Sequence, residues 1–171
     1  MAMKTEYPSI QRLRERLLRT EEEVHRVLAP HRAAGKTIVS TNGCFDLLHL
    51  GHLHILTEAA AQGDVLIVGL NSDASVRALK GSGRPVIPQL ERAEVLLSFE
   101  MVDYVVLFEE PECLNFVRMV RPDVHANDAT YGEDCIEAPL VREGGGKLHL
   151  VSKISIPSTT DLISRMRQAG S

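Results

Sequence analysis

Apolar positions in the first 35 residues recur with the period of an α-helix. One stripe is formed by Ile10, Leu13, Leu17 and Leu18. A second stripe runs over 24–28 after a break at Thr20. Thr20 followed by Glu23 is a capping-box pattern, so a second short helix is predicted to start there and to end near Gly35. Residues 1–35 are therefore predicted to be a helical extension that serves in packing or in a dimer contact.

From residue 36 onward, apolar runs of strand length alternate with segments of helical period. Strands are predicted at 37–41, 65–70, 104–108, 123–126 and 148–151. Helices are predicted near 51–62, 73–79, 89–99, 112–120 and 159–168. This alternation predicts an α/β, Rossmann-like open parallel sheet of five strands with helices on both faces, in one domain over 36–171. In such sheets ligands bind beyond the carboxyl ends of the strands, so the loops there are expected to carry the functional residues.

Composition and charge narrow the function classes. A chain of 171 residues has room for one well-buried core, and a net charge of -4 argues against a general nucleic-acid binder. The sequence has no run of about 18 apolar residues and no apolar signal segment behind Met1, so we expect a cytoplasmic protein without a membrane partner. Its cysteines are odd in number and widely spaced, which fits a reduced compartment and no resident metal site. They are Cys44, Cys113 and Cys135.

The loop after the first predicted strand of the sheet carries the strongest chemical pattern. It runs from Thr41 to His52, and it places His49 and His52 at the entrance of a helix. Free backbone amides and the helix dipole attract an anion there, and imidazoles three residues apart can approach it from one side. Gly43 and Gly51 allow close backbone approach. The loop suits a triphosphate whose α-phosphorus becomes more negative in the transition state.

The segment 43–52 resembles the His-x-Gly-His signature of the cytidylyltransferase-like nucleotidyltransferases. Further motifs follow in the order found in the heptose 1-phosphate adenylyltransferases, which make ADP-heptose for lipopolysaccharide. These motifs are Asn71-Ser72-Asp73, Leu79-Lys80-Gly81, Arg84-Pro85, Glu91-Arg92 and Ser158-Thr159-Thr160. The resemblance covers roughly 36–167 and implies the nucleotidyltransferase fold of that signature.

The resemblance implies transfer of an adenylyl group from ATP, with Mg²⁺, to a sugar 1-phosphate, in an enzyme that is commonly a homodimer. The catalytic residues that it implies are His49, His52 and Lys80, which stabilise the transition state without forming a covalent bond. The nucleotide-binding residues that it implies are Asn42, Gly43, Cys44, Phe45, His49, His52, Asn71, Asp73, Arg92, Ser158, Thr159 and Thr160. The acceptor-binding residues that it implies are Lys80, Arg84, Asp46 and Asn127.

Several alternatives stay open at this point. The two histidines could be a plain helix cap or, with His54, ligands of a zinc ion, and Ser72-Asp73 could be an ordinary N-cap. The charged face formed by Arg12, Arg14, Arg16 and Arg19 is predicted to be solvated surface. Residues 127–131 replace the Lys-Gly-Gly-Asp-Tyr run of the heptose enzymes, which leaves the acceptor and the preference for ATP open. The alternative functions are a cytidylyltransferase for glycerol 3-phosphate or another polyol phosphate, and a non-catalytic nucleotide-binding module. His125 and His149 receive no role.

Overall fold

The computed structural model describes residues 8–152, 154, 163–165 and 168. The helices are α1 Pro8–Arg14, α2 Glu21–Ala33, α3 Leu50–Ala60, α4 Asp73–Lys80, α5 Gln89–Leu97, α6 Leu114–Val120 and α7 Ala138–Glu143, with a 3₁₀ turn at Ala129–Tyr131. The strands are β1 Leu17–Leu18, β2 Ile38–Gly43, β3 Val65–Asn71, β4 Tyr104–Phe108, β5 Val124–Asp128 and β6 Lys147–Val151.

The strands form one parallel sheet in the order β1-β4-β3-β2-β5-β6. This arrangement confirms the predicted Rossmann-like α/β class. From β2 the chain builds outward through β3 and β4, and then returns to build β5 and β6 on the other side of β2. The strand order therefore reverses between β2 and β5, where ligands bind in folds of this kind.

Two hydrophobic clusters cover the two faces of the sheet. Alternate residues of one strand point to opposite faces, so Val68 lies in one cluster and Ile67 in the other. The first cluster includes side chains of α3 and α5, and the second includes side chains of α2, α6 and α7. Burial on both faces explains why the strands are near-continuous apolar runs in the sequence.

The five predicted strands are confirmed as β2 to β6, and the described residues contain one strand more than predicted, because residues 17–18 form β1 rather than a turn of helix. Leu17 pairs with Val105 and Leu18 with Val106, and the amide of Val105 donates to the carbonyl of Arg16 at 3.0 Å. Two adjacent leucines fit the helical period and the strand period equally well, so the sequence does not distinguish the two. The unpaired edge of β4 offers backbone hydrogen bonds, which an extended segment can accept and a turn of helix cannot. The capping box at Thr20 is confirmed, since its side chain accepts from the amide of Glu23 and α2 follows.

The N-terminal segment is tied to the rest of the molecule by buried contacts. Arg16 is half-buried, and its guanidinium donates to the carbonyl of Val102 at 2.9 Å and to that of Leu97 at 2.5 Å. The prediction that Arg16 is solvated surface was therefore wrong, because its partners lie far along the chain. Val24 and Leu28 of α2 are buried in the core. A dimer contact through this segment stays a prediction.

The region after β5 also differs from expectation. The helix α7, which precedes β6, was not predicted, and the Gly144–Gly146 run is a turn between the two elements. The predicted helix at 159–168 lies largely outside the described residues. Within the part of the chain that is described, no helix is long and apolar enough to cross a membrane.

Candidate active site

A cavity of about 330 Å³ lies where the strand order reverses, beyond the carboxyl ends of β2, β5 and β6 and beside the start of α3. Six of the predicted site residues line it: Asn42, Gly43, Phe45, His49, His52 and Asn127. Sequence reasoning missed six further lining residues, which are Ile55, Asp128, Tyr131, Val151, Ser152 and Ile154. The last three follow from the strand order, since only the sheet brings the end of β6 beside β5.

The two histidines cap α3 and also line the cavity. The Nδ1 atom of His49 accepts from the amide of Gly51 at 3.1 Å, and Nδ1 of His52 accepts from the amide of His49 at 3.3 Å. Each Nδ1 is thus an acceptor, so in the neutral ring the proton lies on Nε2. The ring centroids are 4.0 Å apart. The capping hydrogen bonds leave a pair of neighbouring Nε2–H donors at the N-terminus of a helix.

Both imidazoles are held neutral. Burial lowers the pKa of His49, and burial together with the neighbouring His49 lowers the pKa of His52 to about 4. A neutral ring in this tautomer is a hydrogen-bond donor at Nε2 and a poor proton acceptor there. The pair is therefore suited to bind developing negative charge and unsuited to act as a nucleophile.

The loop between β2 and α3 packs against the histidines. Phe45 is buried, has a left-handed backbone with φ of 41°, and places its ring centroid 5.2 Å from that of His52. A Cβ added at Gly43 would lie 3.1 Å from the Phe45 ring, so a side chain there would crowd the ring. The absence of a side chain at Gly43 keeps the loop open where it lines the cavity.

Arg92 hydrogen-bonds to the loop between β2 and α3 and does not line the cavity. Its side chain is 2% exposed and donates to the carbonyls of Cys44 at 2.5 Å, Asn71 at 2.9 Å and Ile87 at 2.9 Å. A further N–H donates to the carboxylate of Asp73 at 2.8 Å. Arg92 therefore joins the loop, the end of β3 and the segment before α5. Its predicted contact with the nucleotide stays a prediction.

The neighbouring polar side chains after β3 are also engaged within the protein. The Nδ2 of Asn71 donates to the hydroxyl of Ser75 at 2.9 Å, and Cys44 Sγ lies 3.9 Å from Asn71 Oδ1. Ser72 caps α4, as its side chain accepts from the amide of Ser75. The N-cap interpretation of this motif is therefore confirmed, while nucleotide contacts of Asn71 and Asp73 stay a prediction.

Asp46 and Arg84 contact each other. The Oδ2 of Asp46 accepts from Nε of Arg84 at 2.5 Å, and its carboxylate also accepts from the amides of Val86 and Ile87 at 2.9 Å. Burial opposes ionisation, yet these hydrogen bonds and the Arg84 charge lower the pKa of Asp46. The pair fixes the segment before α5 against the histidine loop, and contact of either side chain with an acceptor stays a prediction.

Lys80 is the last residue of α4 and its side chain is exposed. Burial raises the pKa of the Cys44 thiol, while the charges of Lys80, Arg92 and Arg84 act in the opposite direction. Three cationic groups are therefore close enough to act on Cys44, and the charge of Asp46 opposes them. The predicted Ser158, Thr159 and Thr160 lie outside the described residues.

One wall of the cavity is polar and acidic. Asn127 and Asp128 end β5, and the exposed Tyr131 follows in the 3₁₀ turn.

Among the residues that the structure describes, no three His, Cys, Asp or Glu side chains are grouped so as to hold a metal ion. His54 lies with its Nε2 3.0 Å from the carbonyl oxygen of Ser152, which connects α3 to the segment after β6.

Comparison with known proteins gives consistent matches. Residues 40–156 match the model of a family described as cytidylyltransferase-like. The chain is 44% identical over 150 residues to the bifunctional protein HldE of Syntrophotalea carbinolica, covering 87% of this chain and 31% of that protein. It is 44% identical over 144 residues to HldE of Geobacter sulfurreducens, covering 84% and 29%. The chain spans about a third of the length of these curated relatives.

Two solved structures resemble the fold. The lipopolysaccharide core biosynthesis protein from Thermoplasma volcanium GSS1 has a TM-score of 0.57 at 28% identity, covering 72% of this chain and 100% of that one. The pantoate-beta-alanine ligase from Francisella tularensis, solved with beta-gamma ATP and beta-alanine, has a TM-score of 0.63 at 14% identity, covering 88% and 76%. The second match supports the fold alone.

Proposed function

The chain belongs to the cytidylyltransferase-like family of nucleotidyltransferases. On this premise we propose that it transfers the adenylyl group of ATP to a sugar 1-phosphate. The first candidate for this acceptor is heptose 1-phosphate. Pyrophosphate is the second product. The observation that carries the proposal is the pair of neutral Nε2–H donors of His49 and His52, fixed by helix-capping hydrogen bonds beside the cavity.

The chemistry follows from that geometry. An oxygen of the acceptor phosphate attacks the α-phosphorus of ATP, and the bond from this phosphorus to the oxygen that leaves with pyrophosphate breaks. The two imidazole N–H groups at the N-terminus of α3 donate to the α-phosphate oxygens as their charge grows. No bond from the protein to phosphorus is needed, which agrees with imidazoles whose Nδ1 lone pairs are engaged in the helix cap.

Magnesium is proposed to enter with ATP. When bound, it neutralises charge on the phosphate oxygens, and it takes most of its ligands from phosphate and water. No cluster of three ligating side chains occurs among the residues described, which suits an ion delivered on the nucleotide. Lys80, at the end of α4, is proposed to add positive charge over the same phosphates.

The choice of acceptor is supported by the names of similar proteins. The curated relatives are HldE proteins, and a similar solved chain is named as a lipopolysaccharide core biosynthesis protein. Heptose 1-phosphate fits the motif order 71–73, 79–81 and 84–85 that the chain shares with heptose 1-phosphate adenylyltransferases. Asn127 replaces the usual lysine of those enzymes, so related sugar phosphates belong in the same experiment.

The test is pyrophosphate release from ATP and from CTP, each with heptose 1-phosphate, a hexose 1-phosphate and glycerol 3-phosphate. Release with ATP and heptose 1-phosphate is expected. Release only with CTP and glycerol 3-phosphate would overturn the acceptor and nucleotide assignment. Tight ATP binding without any pyrophosphate release would instead identify a non-catalytic module.

The role of the histidines is tested by His52→Ala in the same assay. Removal of one fixed donor is expected to lower kcat by about 10² to 10³. The matched control is His25→Ala, because His25 is an exposed histidine of α2 that lies 3.8 Å from Glu21. Activity of His52→Ala close to that of the control would contradict the proposed role.

A further inference from the structure

Polar side chains from β2, β5 and the start of α7 form a buried row beside the cavity. The row consists of Ser40, His125, Glu137 and Asn127. Ser40 and His125 are 0% exposed and Glu137 is 4% exposed, while Asn127 lines the cavity. Ser40 Oγ lies 2.7 Å from His125 Nδ1, and His125 Nε2 lies 3.6 Å from Glu137 Oε1. At the other end Asn127 Nδ2 donates to the same Glu137 oxygen.

The buried row is not arranged as a hydrolytic triad. Its serine has no exposed surface and lies on the inner side of the histidine, so no substrate could reach the hydroxyl. The row reaches the cavity only through Asn127. Its function must therefore be expressed through the position and orientation of that one amide.

Two contacts fix which way the Asn127 amide faces. Its Oδ1 accepts from the amide of Asp128 at 3.0 Å, and its Nδ2 donates to Glu137. A backbone N–H can only donate and an ionised carboxylate can only accept, so the flipped amide would lose both hydrogen bonds. The second N–H of Nδ2 has the Cys135 thiol as its neighbour within the protein, and a substrate hydroxyl in the cavity is a better acceptor than that weakly accepting sulfur.

Glu137 fixes the Asn127 amide in this orientation in its ionised form. Burial alone would raise its pKa, but the His125 ring at 3.6 Å, the backbone and the thiol of Cys135 outweigh burial, and the pKa of Glu137 is lowered. The Ser40 hydroxyl can donate to His125 Nδ1, which leaves the proton of the ring on Nε2, facing the carboxylate. The whole row then holds Glu137 as an acceptor for Asn127.

The chemistry of the surrounding wall indicates what the donor meets. Asp128 lines the cavity next to Asn127, and Glu137 lies directly behind it. Two carboxylates disfavour a phosphate at this wall, whereas a sugar hydroxyl can accept from an amide N–H and donate to a carboxylate. The phosphates then belong at the opposite side, with His49 and His52.

We propose that Glu137 is a positioning residue that fixes Asn127 as a hydrogen-bond donor to a sugar hydroxyl bound in the cavity. The inference rests on the proposed function, which supplies two sources of such a hydroxyl. One is the ribose of the nucleotide and the other is the acceptor sugar. Glu137 acts through Asn127 and contacts neither substrate itself.

The test is a double-mutant cycle of Glu137→Gln and Asn127→Ala, with KM and kcat measured separately for ATP and for the sugar phosphate. Each single variant is expected to raise one of the two KM values about five- to tenfold, as for the loss of one hydrogen bond, and to change kcat less than about twofold. The double variant should match Asn127→Ala, because Glu137 has no route to the substrate without the amide. The substrate whose KM rises identifies the source of the hydroxyl.

The control is Glu58→Gln, since Glu58 lies 3.7 Å from His149 in a second carboxylate–histidine pair outside the cavity lining. It should leave both KM values unchanged. Effects of Glu137→Gln and Asn127→Ala that multiply in the double variant would overturn the proposal, as would a Glu137→Gln enzyme with both KM values unchanged.

If Glu137→Gln does not fold, a second variant at Asn127 still tests the proposal. Asn127→Leu removes both N–H donors at similar volume without placing a second carboxylate against Glu137, so it should raise the same KM, and an unchanged KM would overturn the proposal. Dissociation constants for ATP and for the sugar phosphate, measured by calorimetry, give the same comparison without turnover. An inactive wild-type protein would therefore overturn the proposed function alone.

Discussion

Replacement of Arg92 by methionine should cost far more stability than its position on a short surface helix suggests. The side chain is 2% exposed and its guanidinium serves four acceptors, which are three backbone carbonyls and the carboxylate of Asp73. Methionine fills much of the volume but donates to none of them. The variant thus leaves buried oxygens without donors, in addition to removing an ion pair.

The magnitude follows from those contacts. A buried acceptor left without its partner costs about 1–3 kcal/mol, and removal of one partner of a buried ion pair costs about 3–5 kcal/mol. Asp73 is 26% exposed and can regain water, which reduces its share. We therefore expect the free energy of unfolding to fall by about 3–5 kcal/mol. Arg92→Lys should recover little, because one ammonium cannot span the four acceptors.

The measurement is equilibrium unfolding in urea, followed by circular dichroism, with Arg118→Met as the matched control. Arg118 is an exposed arginine of α6 that donates to Asn115 at 2.7 Å, and its loss should change stability by less than about 0.5 kcal/mol. If the free energy of unfolding of Arg92→Met falls by less than about 1 kcal/mol, the four hydrogen bonds of Arg92 do not stabilise the fold as proposed. In the folded fraction, ATP binding should also weaken, because the loop at Cys44 loses its anchor.

Three further predictions test other parts of the structure. Burial lowers the pKa of His52 to about 4, so between pH 6.5 and 4 the unfolded chain binds more protons than the folded protein does. Urea unfolding should therefore show stability falling by up to about 1.4 kcal/mol per pH unit as the pH is lowered through this range, and His52→Gln should flatten that slope. Gly69→Ala would place a Cβ 2.8 Å from the buried ring of Phe116 and should cost about 1–3 kcal/mol in urea unfolding, whereas Gly83→Ala, with open space around it, should cost little. Leu18→Ala should cost about 2–5 kcal/mol in the same assay if β1 is part of the core, and a cost below about 1 kcal/mol would contradict that placement.

The strands of the central sheet and the histidine loop could be predicted from the sequence because their signals are local. Buried parallel strands need apolar residues on both faces, so β3 and β4 are continuous apolar runs. The loop at 43–52 carries its own chemistry, since His49 and His52 cap the helix that they begin. Local spacing therefore gave both the fold class and the two side chains on which the proposed catalysis depends.

The tertiary structure decided what the isolated polar residues do. The resemblance predicts that Arg92 binds the nucleotide, and the structure adds that its acceptors come from segments 5 to 48 residues away and enclose it in the core. Ser40 and His125 are 85 residues apart in the chain and meet only because β2 and β5 are neighbours in the sheet. A sequence pattern records side-chain chemistry and local spacing, whereas burial and partnership depend on contacts that exist only after the strands have paired.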